Sequence, residues 1–337
     1  MGRRLRSIFS FAIILPSIFA IHMALGDAAE QRKDSADLDV FRRLVAEQNK
    51  HRERIKSIHL KMNERARFQA RDQYGDLSNF DLNIEHEEFS AGERTWVRRS
   101  EDRTVEGPKG KTRDTRQTML AANETSVAYW PVGDGSVYLY NFHTRDEMPR
   151  NARTQLSGSN PRNILRFGFG DGSESLGELL EIVESSGRLQ VSIAQQKANG
   201  SELYIVSIQD SEADESERMT EVLTVDASRG YLITRVVIKE GPFLDREVEV
   251  ELASTDGVWL PQSWKVSDYK RMDDGTTVLR KQTVNSVSFI EVNPVIAEER
   301  FTWRGIEAPE GTRFMVTNSD GSNELLVSDG EILLPNQ

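Results

Sequence analysis

The sequence of 337 residues contains no cysteine. This absence excludes a disulfide framework, a thiol nucleophile, zinc sites built from thiolates and attachment of a lipid to an N-terminal cysteine. It is nevertheless compatible with an oxidising compartment, because a protein without thiols has nothing to oxidise there. No covalent cross-link can therefore contribute to the stability of the fold.

Histidine is scarce as well, with five residues in the chain. Many zinc hydrolases bind their metal through the pattern H-E-x-x-H, and neither this pattern nor an equivalent spacing occurs. We therefore predict no metal site and no cofactor. The histidines that follow the N-terminal segment are expected to be ordinary helix or strand residues: His51, His59, His86 and His143.

Three other signatures of catalysis or binding are missing. Residues 168–172 have neither the lysine of a P-loop nor the G-x-G-x-x-G spacing of a dinucleotide site, and there is no G-x-S-x-G elbow. The acidic stretch 210–217 lacks the glycine and the ligand order of an EF-hand. Among 54 acidic residues no pair stands out, so no catalytic residue is predicted. A secreted hydrolase with an unlocated carboxylate site stays open as an alternative.

Positive charge is in deficit, with 43 Lys and Arg against 54 Asp and Glu and a net charge of -11. A protein this acidic is a poor candidate for non-specific binding to nucleic acid, which depends on neutralising phosphates with basic side chains. We therefore predict no nucleic-acid partner.

Long apolar runs are confined to the N-terminus, where residues 8–25 follow Arg3, Arg4 and Arg6 and end at small residues. A basic start, an apolar centre and a small-residue end are typical of a secretory signal peptide, which we place at 1–26. The alternative is an uncleaved anchor, since the run is near the lower length limit for spanning a bilayer. The remaining chain is predicted to be periplasmic or secreted, and not embedded in a membrane after cleavage.

The chain after the signal divides into few segments. Residues 27–36 are polar and are expected to form a disordered lead before a single domain at 37–335. Apolar residues recur at helical spacing over about 38–55, and Ser175 begins a capping-box pattern for a short central helix. Residues 145–171 carry several glycines and prolines, which predicts a long irregular connection.

Long strands with short turns dominate the rest, most clearly between Met219 and Val292. In residues 247–252 glutamate and apolar residues alternate strictly, the period of a strand with one buried face. The connections are too short for parallel crossovers, so the strands are antiparallel. The predicted fold is mainly β (α+β): a long-stranded, curved antiparallel sheet forming an open half-barrel, with the N-terminal helix and the central short helix packed on its concave side.

Aromatic residues gather in a hairpin near residue 130 and in the strands and tail after residue 255. Most are expected to pack in the core, because strands favour aromatic residues. On an incompletely filled concave face they would instead contact an apolar ligand, where burial contributes about 0.8 kcal/mol per methylene. The residues predicted to do so are Tyr138, Tyr140, Trp259, Trp264 and Trp303.

Basic residues exceed acidic ones by eight to five within 93–116. Cross-strand pairing on an exposed sheet face explains such a mixture of signs. The alternative is a site for an anionic headgroup or an acidic partner, for which Arg98 and Arg99 are the predicted residues.

Three segments suggest a known family. They are Asp226-Ala-Ser-Arg-Gly-Tyr-Leu-Ile-Thr-Arg, Gly257-Val-Trp-Leu-Pro-Gln-Ser-Trp and the tail that contains Phe301-Thr-Trp and Ala308-Pro-Glu-Gly-Thr. Together with the secretory signal and a helix before a long run of antiparallel strands, they resemble the lipoprotein-carrier fold of the periplasmic lipoprotein-localisation proteins (the LolA/LolB-like superfamily). The resemblance covers most of the mature chain as architecture and implies an open, apolar half-barrel that holds acyl chains. No functional residue of that family has a matching position here.

These observations predict an exported, non-enzymatic binding protein for a lipid, a lipoprotein acyl chain or another apolar ligand, acting as a carrier or as an envelope sensor with a protein partner. A hydrolase, and a structural module whose concavity is filled by its own side chains, are the alternatives. Apolar walls with few titratable groups would favour the carrier, and convergent carboxylates with perturbed pKa values would favour the hydrolase.

Overall fold

The computed structural model describes residues 27–71, 76–133, 135–143, 175–198, 200–272 and 274–327. The predicted signal peptide at 1–26 and the predicted irregular connection at 145–171 lie outside these residues. Within them, neither of the two helices is both long and apolar enough to cross a membrane.

The described chain forms two α-helices, fifteen strands and three short 3-10 helices. The helices are α1 (Asp27–Glu53) and α2 (Leu176–Ser186), and the 3-10 helices are Ala227–Arg229, Glu298–Phe301 and Trp303–Ile306. The strands are β1 (Ser57–Arg71), β2 (Leu77–Ala91), β3 (Arg94–Gly107), β4 (Gly110–Ala122), β5 (Ser126–Val132), β6 (Ser136–Asn141), β7 (Leu189–Ala198), β8 (Ser201–Asp210), β9 (Met219–Asp226), β10 (Leu232–Glu240), β11 (Phe243–Thr255), β12 (Val258–Arg271), β13 (Thr277–Val292), β14 (Arg313–Thr317) and β15 (Asn323–Val327).

All of these strands belong to one hydrogen-bonded sheet, in the order β15-β14-β6-β5-β4-β3-β2-β1-β13-β12-β11-β10-β9-β8-β7. In the described chain β15 and β7 stand at its two ends, so the sheet is open. The prediction of a mainly β fold with one long-stranded sheet and two helices is confirmed. One pair departs from the predicted antiparallel pattern, because β14 runs parallel to β6. This pairing is possible because a long stretch of chain separates the two strands, as a parallel connection requires.

The chain falls into two compact units. Among the described residues, those within 1–54 and 165–282 form unit 1, and those within 55–164 and 283–337 form unit 2. Both helices and β7 to β12 belong to unit 1, whereas β1 to β6, β14 and β15 belong to unit 2. Strand β13 crosses the division.

The two helices of unit 1 contact each other and β7. Phe41 and Leu44 are the buried apolar residues in the part of α1 whose side chains the structure describes. The capping box predicted at Ser175 is present, because its hydroxyl accepts a hydrogen bond from the Glu178 amide and Glu178 bonds back to the Ser175 amide. Gly187 ends α2 in the left-handed conformation.

Helix α1 begins earlier than the sequence suggested. Residues 27–36, expected to be a disordered lead, form its first turns. This segment has no apolar stripe, but it contains neither glycine nor proline and is rich in alanine, glutamate, glutamine, lysine and arginine, which are strong helix formers. Intrinsic propensity therefore accounts for the longer helix.

The last turns of α1 are fixed to the turn before β10 and to the start of β12. Gln48 Nε2 donates a hydrogen bond of 3.1 Å to the Tyr231 carbonyl, and His51 Nε2 lies 2.8 Å from the Trp259 carbonyl oxygen. Gly230 has a φ of 75° and touches the His51 ring so closely that a Cβ atom there would lie 2.4 Å from Nδ1. The helix end can dock only because this position is glycine.

We expect Gly230→Ala to destabilise the protein more than Gly200→Ala does. Both glycines have positive φ, and nothing lies within 4 Å of a Cβ atom at Gly200. The control therefore costs only the left-handed strain of about 1 kcal/mol, while Gly230→Ala adds a steric conflict with His51 of about 2 kcal/mol. Urea unfolding followed by circular dichroism measures both, and equal losses would show that α1 does not depend on this contact.

In unit 2 the tail covers one face of the sheet. Phe301 and Ile306, from the two 3-10 helices after β13, pack in a buried cluster with Trp96 of β3 and Phe314 of β14. Trp96 Nε1 donates a hydrogen bond of 2.7 Å to the Gly305 carbonyl. We call this side of unit 2 the Trp96 face.

Candidate ligand-binding face

The opposite side of unit 2 carries an unusual buried acid. Strands β1 to β6 pair without a register shift, and residues paired across strands share a face. Glu88 of β2 lies between Leu60 of β1 and Val97 of β3. Val97 pairs with Leu120 of β4, which pairs with Tyr129 of β5. We call this side the Glu88 face, and this line of residues its central row.

The central row continues to the edge of the sheet. Tyr129 pairs with Tyr138 of β6, Tyr138 with Met315 of β14, and Met315 with Leu325 of β15. Its members in β1 to β4 are at most 4% exposed, whereas Met315 is 46% and Leu325 61% exposed. The row therefore passes from a buried part to an apolar part that faces water.

Two rows flank the central row and differ in character. One is buried and mostly apolar over β1 to β5 and ends at the half-buried Tyr140: Ile58, Ser90, Thr95, Ala122, Val127 and Tyr140. The other is half-buried and mostly polar: Met62, His86, Arg99 and Thr118. The Glu88 face therefore combines a broad apolar area with one polar margin.

Glu88 is 2% exposed. Its Oε2 lies 2.9 Å from His86 Nε2, and its Oε1 has no hydrogen-bond partner within the described residues. Burial raises the pKa of Glu88, and the hydrogen bond and charge of His86 only partly oppose this. The neutral carboxyl is thus favoured. Because a buried acid weakens a fold unless it is fully paired, Glu88 is a candidate functional group.

Three of the residues predicted from the sequence lie on the Glu88 face. Tyr138 belongs to the central row, and Tyr140 and Arg99 belong to the two flanking rows. Burial, followed by the neighbouring Tyr138, raises the pKa of Tyr140, which keeps its hydroxyl protonated. Arg99 Nη2 donates a hydrogen bond of 3.3 Å to Glu101 on its own strand.

Arg98 lies on the Trp96 face, because adjacent residues of a strand point to opposite sides. Its Nη2 lies 2.6 Å from Glu87 Oε2, and Glu87 also bonds His59 and Lys61. Burial acts to raise the pKa of Glu87, but the hydrogen bonds of His59 and Lys61 and the charge of Arg98 lower it on balance. A single site on unit 2 can therefore contain Arg98 or Arg99, and not both.

The predicted tryptophans lie elsewhere. Trp303 packs edge-on against Phe314 at 5.6 Å between ring centroids, on the Trp96 face. Trp264 is buried in unit 1 opposite Val250, and its indole Nε1 has no partner among the described residues. Trp259 is half-buried beneath the Arg229 guanidinium. Their role in ligand binding stays a prediction.

A hydrolase would need two acids that face one substrate. Glu87 and Glu88 have pKa values shifted in opposite directions, but they lie on opposite faces and cannot act together. In the part of the chain that the structure describes, no group of three His, Asp or Glu side chains could hold a metal ion.

Comparison with known proteins gives a likeness of fold. No protein-family model and no curated protein matches the sequence. A DUF1329 family protein from Desulfovibrio piger matches with 11% identity, 81% of this chain and 98% of that chain covered, and a TM-score of 0.36. A putative outer membrane lipoprotein-sorting protein domain from Vibrio parahaemolyticus matches with 11% identity, 82% and 100% covered, and a TM-score of 0.39. The Mycobacterium tuberculosis lipoprotein LppX matches with 9% identity, 79% and 100% covered, and a TM-score of 0.24. Lipoprotein-related proteins occur among these structures, and the likeness is one of fold alone.

Because Glu88 is buried, we expect the free energy of unfolding to depend on pH. Above about pH 4.3 the unfolded chain releases the Glu88 proton while the folded chain retains it, so the free energy of unfolding falls as pH rises towards the folded pKa. Relative to Glu88→Gln, which stays neutral, the wild type should lose up to about 1.4 kcal/mol per pH unit in this window.

Urea unfolding of the two proteins at a series of pH values measures this difference. Glu85→Gln, at an exposed position of the same strand, is the matched control. Its free energy of unfolding should change with pH in the same way as that of the wild type. A constant difference between Glu88→Gln and the wild type across pH 4 to 8 would contradict a neutral buried Glu88.

Proposed function

We propose that this protein is an exported, non-enzymatic binding protein that holds an amphipathic ligand with a long apolar chain on the Glu88 face. The observation that carries the proposal is the central row, which runs without interruption from the buried Val97 and Leu120 to the exposed Met315 and Leu325. The same ligand site would serve a lipid carrier or an envelope sensor.

The exposed end of the row supports an apolar ligand. Met315 and Leu325 are direct cross-strand partners, and Tyr138 continues them inward as an amphipathic side chain. An exposed apolar patch continuous with a buried apolar area is a common mark of a binding surface. From β4 to β15 the row crosses four strand spacings, or about 19 Å, which suits a long acyl chain. Each methylene that leaves water there contributes about 0.8 kcal/mol.

The polar margin supports an amphipathic ligand rather than a purely apolar one. His86, Arg99 and Thr118 are half-buried beside the central row. A headgroup at this margin would stay hydrated while the chain lies on the apolar rows. Of the two arginines predicted to bind an anionic group, Arg99 is the one that lies at this margin.

A carboxylate hydrolase gains no support from this face. On the sheet the nearest positions to Glu88 on its own side are two on β2 and three each on β1 and β3, and none carries a carboxylate: His86, Ser90, Ile58, Leu60, Met62, Thr95, Val97 and Arg99. The apolar lining with one buried acid supports a binding protein.

Leu325→Arg should weaken binding of an apolar probe at least about tenfold, because it replaces a side chain whose burial contributes about 2 kcal/mol with a charge. Fluorescence titration of the mature protein with N-phenyl-1-naphthylamine, a neutral probe, measures the dissociation constant. Leu77→Arg is the matched control, since Leu77 is similarly exposed at 63% and its odd position in β2 faces the other way.

If the two variants bind the probe with equal affinity, the probe binds away from the central row. A wild-type protein that binds neither this probe nor long-chain lipids would contradict the proposed function itself.

A further inference from the structure

An exposed arginine stands beside the open end of the central row. Arg313 of β14 pairs with Ser136 of β6, two residues before the pair of Met315 and Tyr138 that belongs to the row. Because every second residue of a strand points to the same side, Arg313 shares the Glu88 face with Met315, about 7 Å away along the strand. The exposed apolar end of the row is therefore flanked by a cation.

Arg313 also continues the polar margin of the Glu88 face. Thr118 of this margin pairs with Pro131 of β5. Continuing the register of β5 and β6 two residues beyond its last pair brings Pro131 opposite Ser136, the partner of Arg313. The margin thus runs from half-buried residues on β2 to β4 to an exposed arginine near the open edge of the sheet.

The charge of Arg313 has no partner in the part of the chain that the structure describes. Its backbone amide donates a hydrogen bond of 3.4 Å to the Gly135 carbonyl, but its guanidinium makes no ion pair or hydrogen bond there. Three other arginines of the Glu88 face do have partners: Arg99 bonds Glu101, Arg116 bonds Asp114, and Arg103 lies over the Phe80 ring. The free cation of this face therefore lies where its apolar side chains meet water.

The surroundings of Arg313 suit the headgroup of an amphiphile with a negative charge. A guanidinium can donate two parallel hydrogen bonds to a carboxylate or a phosphate, and the half-buried Ser136 brings a hydroxyl to the same place. A chain attached to this headgroup would pass over Met315 and Tyr138 towards Leu120. Its methylenes would leave water while the charged group stays hydrated.

We infer that the ligand of the Glu88 face is an anionic amphiphile whose carboxylate or phosphate binds Arg313 and whose apolar chain follows the central row inward from Met315. This inference rests on the proposed function and adds the class of ligand and its orientation. Arg313 is then a specificity-determining residue, and the central row supplies most of the affinity.

Two probes with the same chain and label test the inference: pyrenedecanoic acid, which is ionised at about pH 8, and its uncharged methyl ester. Fluorescence titration gives the ratio of the affinity for the acid to the affinity for the ester. Arg313→Gln should lower this ratio about threefold to fivefold, the upper range for an exposed ion pair. Comparing the ratio between variants cancels the difference in hydrophobicity between the probes.

Two further variants separate a direct contact from a general effect of charge. Arg313→Lys keeps the charge and should retain most of the wild-type ratio. Arg65→Gln is the matched control, because Arg65 is an exposed arginine of the same unit whose odd position in β1 faces away from the central row. It should leave the ratio unchanged. Raising the ionic strength from about 0.01 M to about 1 M should lower the wild-type ratio, since salt screens exposed charges.

Competition distinguishes the two sources of the anionic group. Palmitate carries a carboxylate, and palmitoyl lysophosphatidate carries a phosphate on the same acyl chain. The competitor whose ability to displace the pyrene acid falls more in Arg313→Gln identifies the headgroup that Arg313 selects, and equal losses would show that it accepts both.

The outcomes separate the inference from the proposed function. If the acid-to-ester ratio is unchanged in Arg313→Gln, or falls as far in Arg65→Gln, the inference is overturned, whereas binding of the ester would still support the proposed function. If the wild type binds neither probe, both are overturned.

Discussion

The unbroken register of β1 to β6 is the constraint on which the candidate site depends. A slip of one residue would move every side chain of a strand to the other face, so Glu88, Arg99 and Tyr138 share a side only in this register. Burial of the Trp96 face holds it in place, since the Trp96 indole bonds the tail at Gly305 and packs in the cluster that contains Phe314. The tail on one face thus maintains the arrangement on the other.

The same constraint gives two adjacent glutamates different surroundings and opposite shifts of pKa. Glu87 lies on the Trp96 face among His59, Lys61 and Arg98 and has a lowered pKa, whereas Glu88 is buried on the other face and burial raises its pKa. The charged cluster around Glu87 thus lies on the face that no ligand is proposed to occupy. The proposed ligand face carries a buried acid with a raised pKa, half-buried tyrosines and a polar margin.

Much of the fold could be predicted from the sequence, because the signals are local. Strict alternation and short turns identified β9 to β13, and the capping box identified α2. The alternation of Phe80, Leu82 and Ile84 extends to His86 and Glu88, so the sequence contained the signal for a buried acid, which the usual solvation of acids obscured. The continuation of the central row into β14 and β15 could not be predicted, because it depends on a parallel pairing between distant segments. The separation of Arg98 from Arg99 is, in contrast, a local effect, because neighbouring strand residues face opposite ways.

The measurement that tests the central claim most directly is native mass spectrometry of the protein purified from the cells that produce it, followed by solvent extraction of the bound material. We predict one ligand per chain, released by the solvent and carrying a long acyl chain. A clean mass of the protein alone, which stays unliganded when the sample is offered long-chain lipids, would contradict the account.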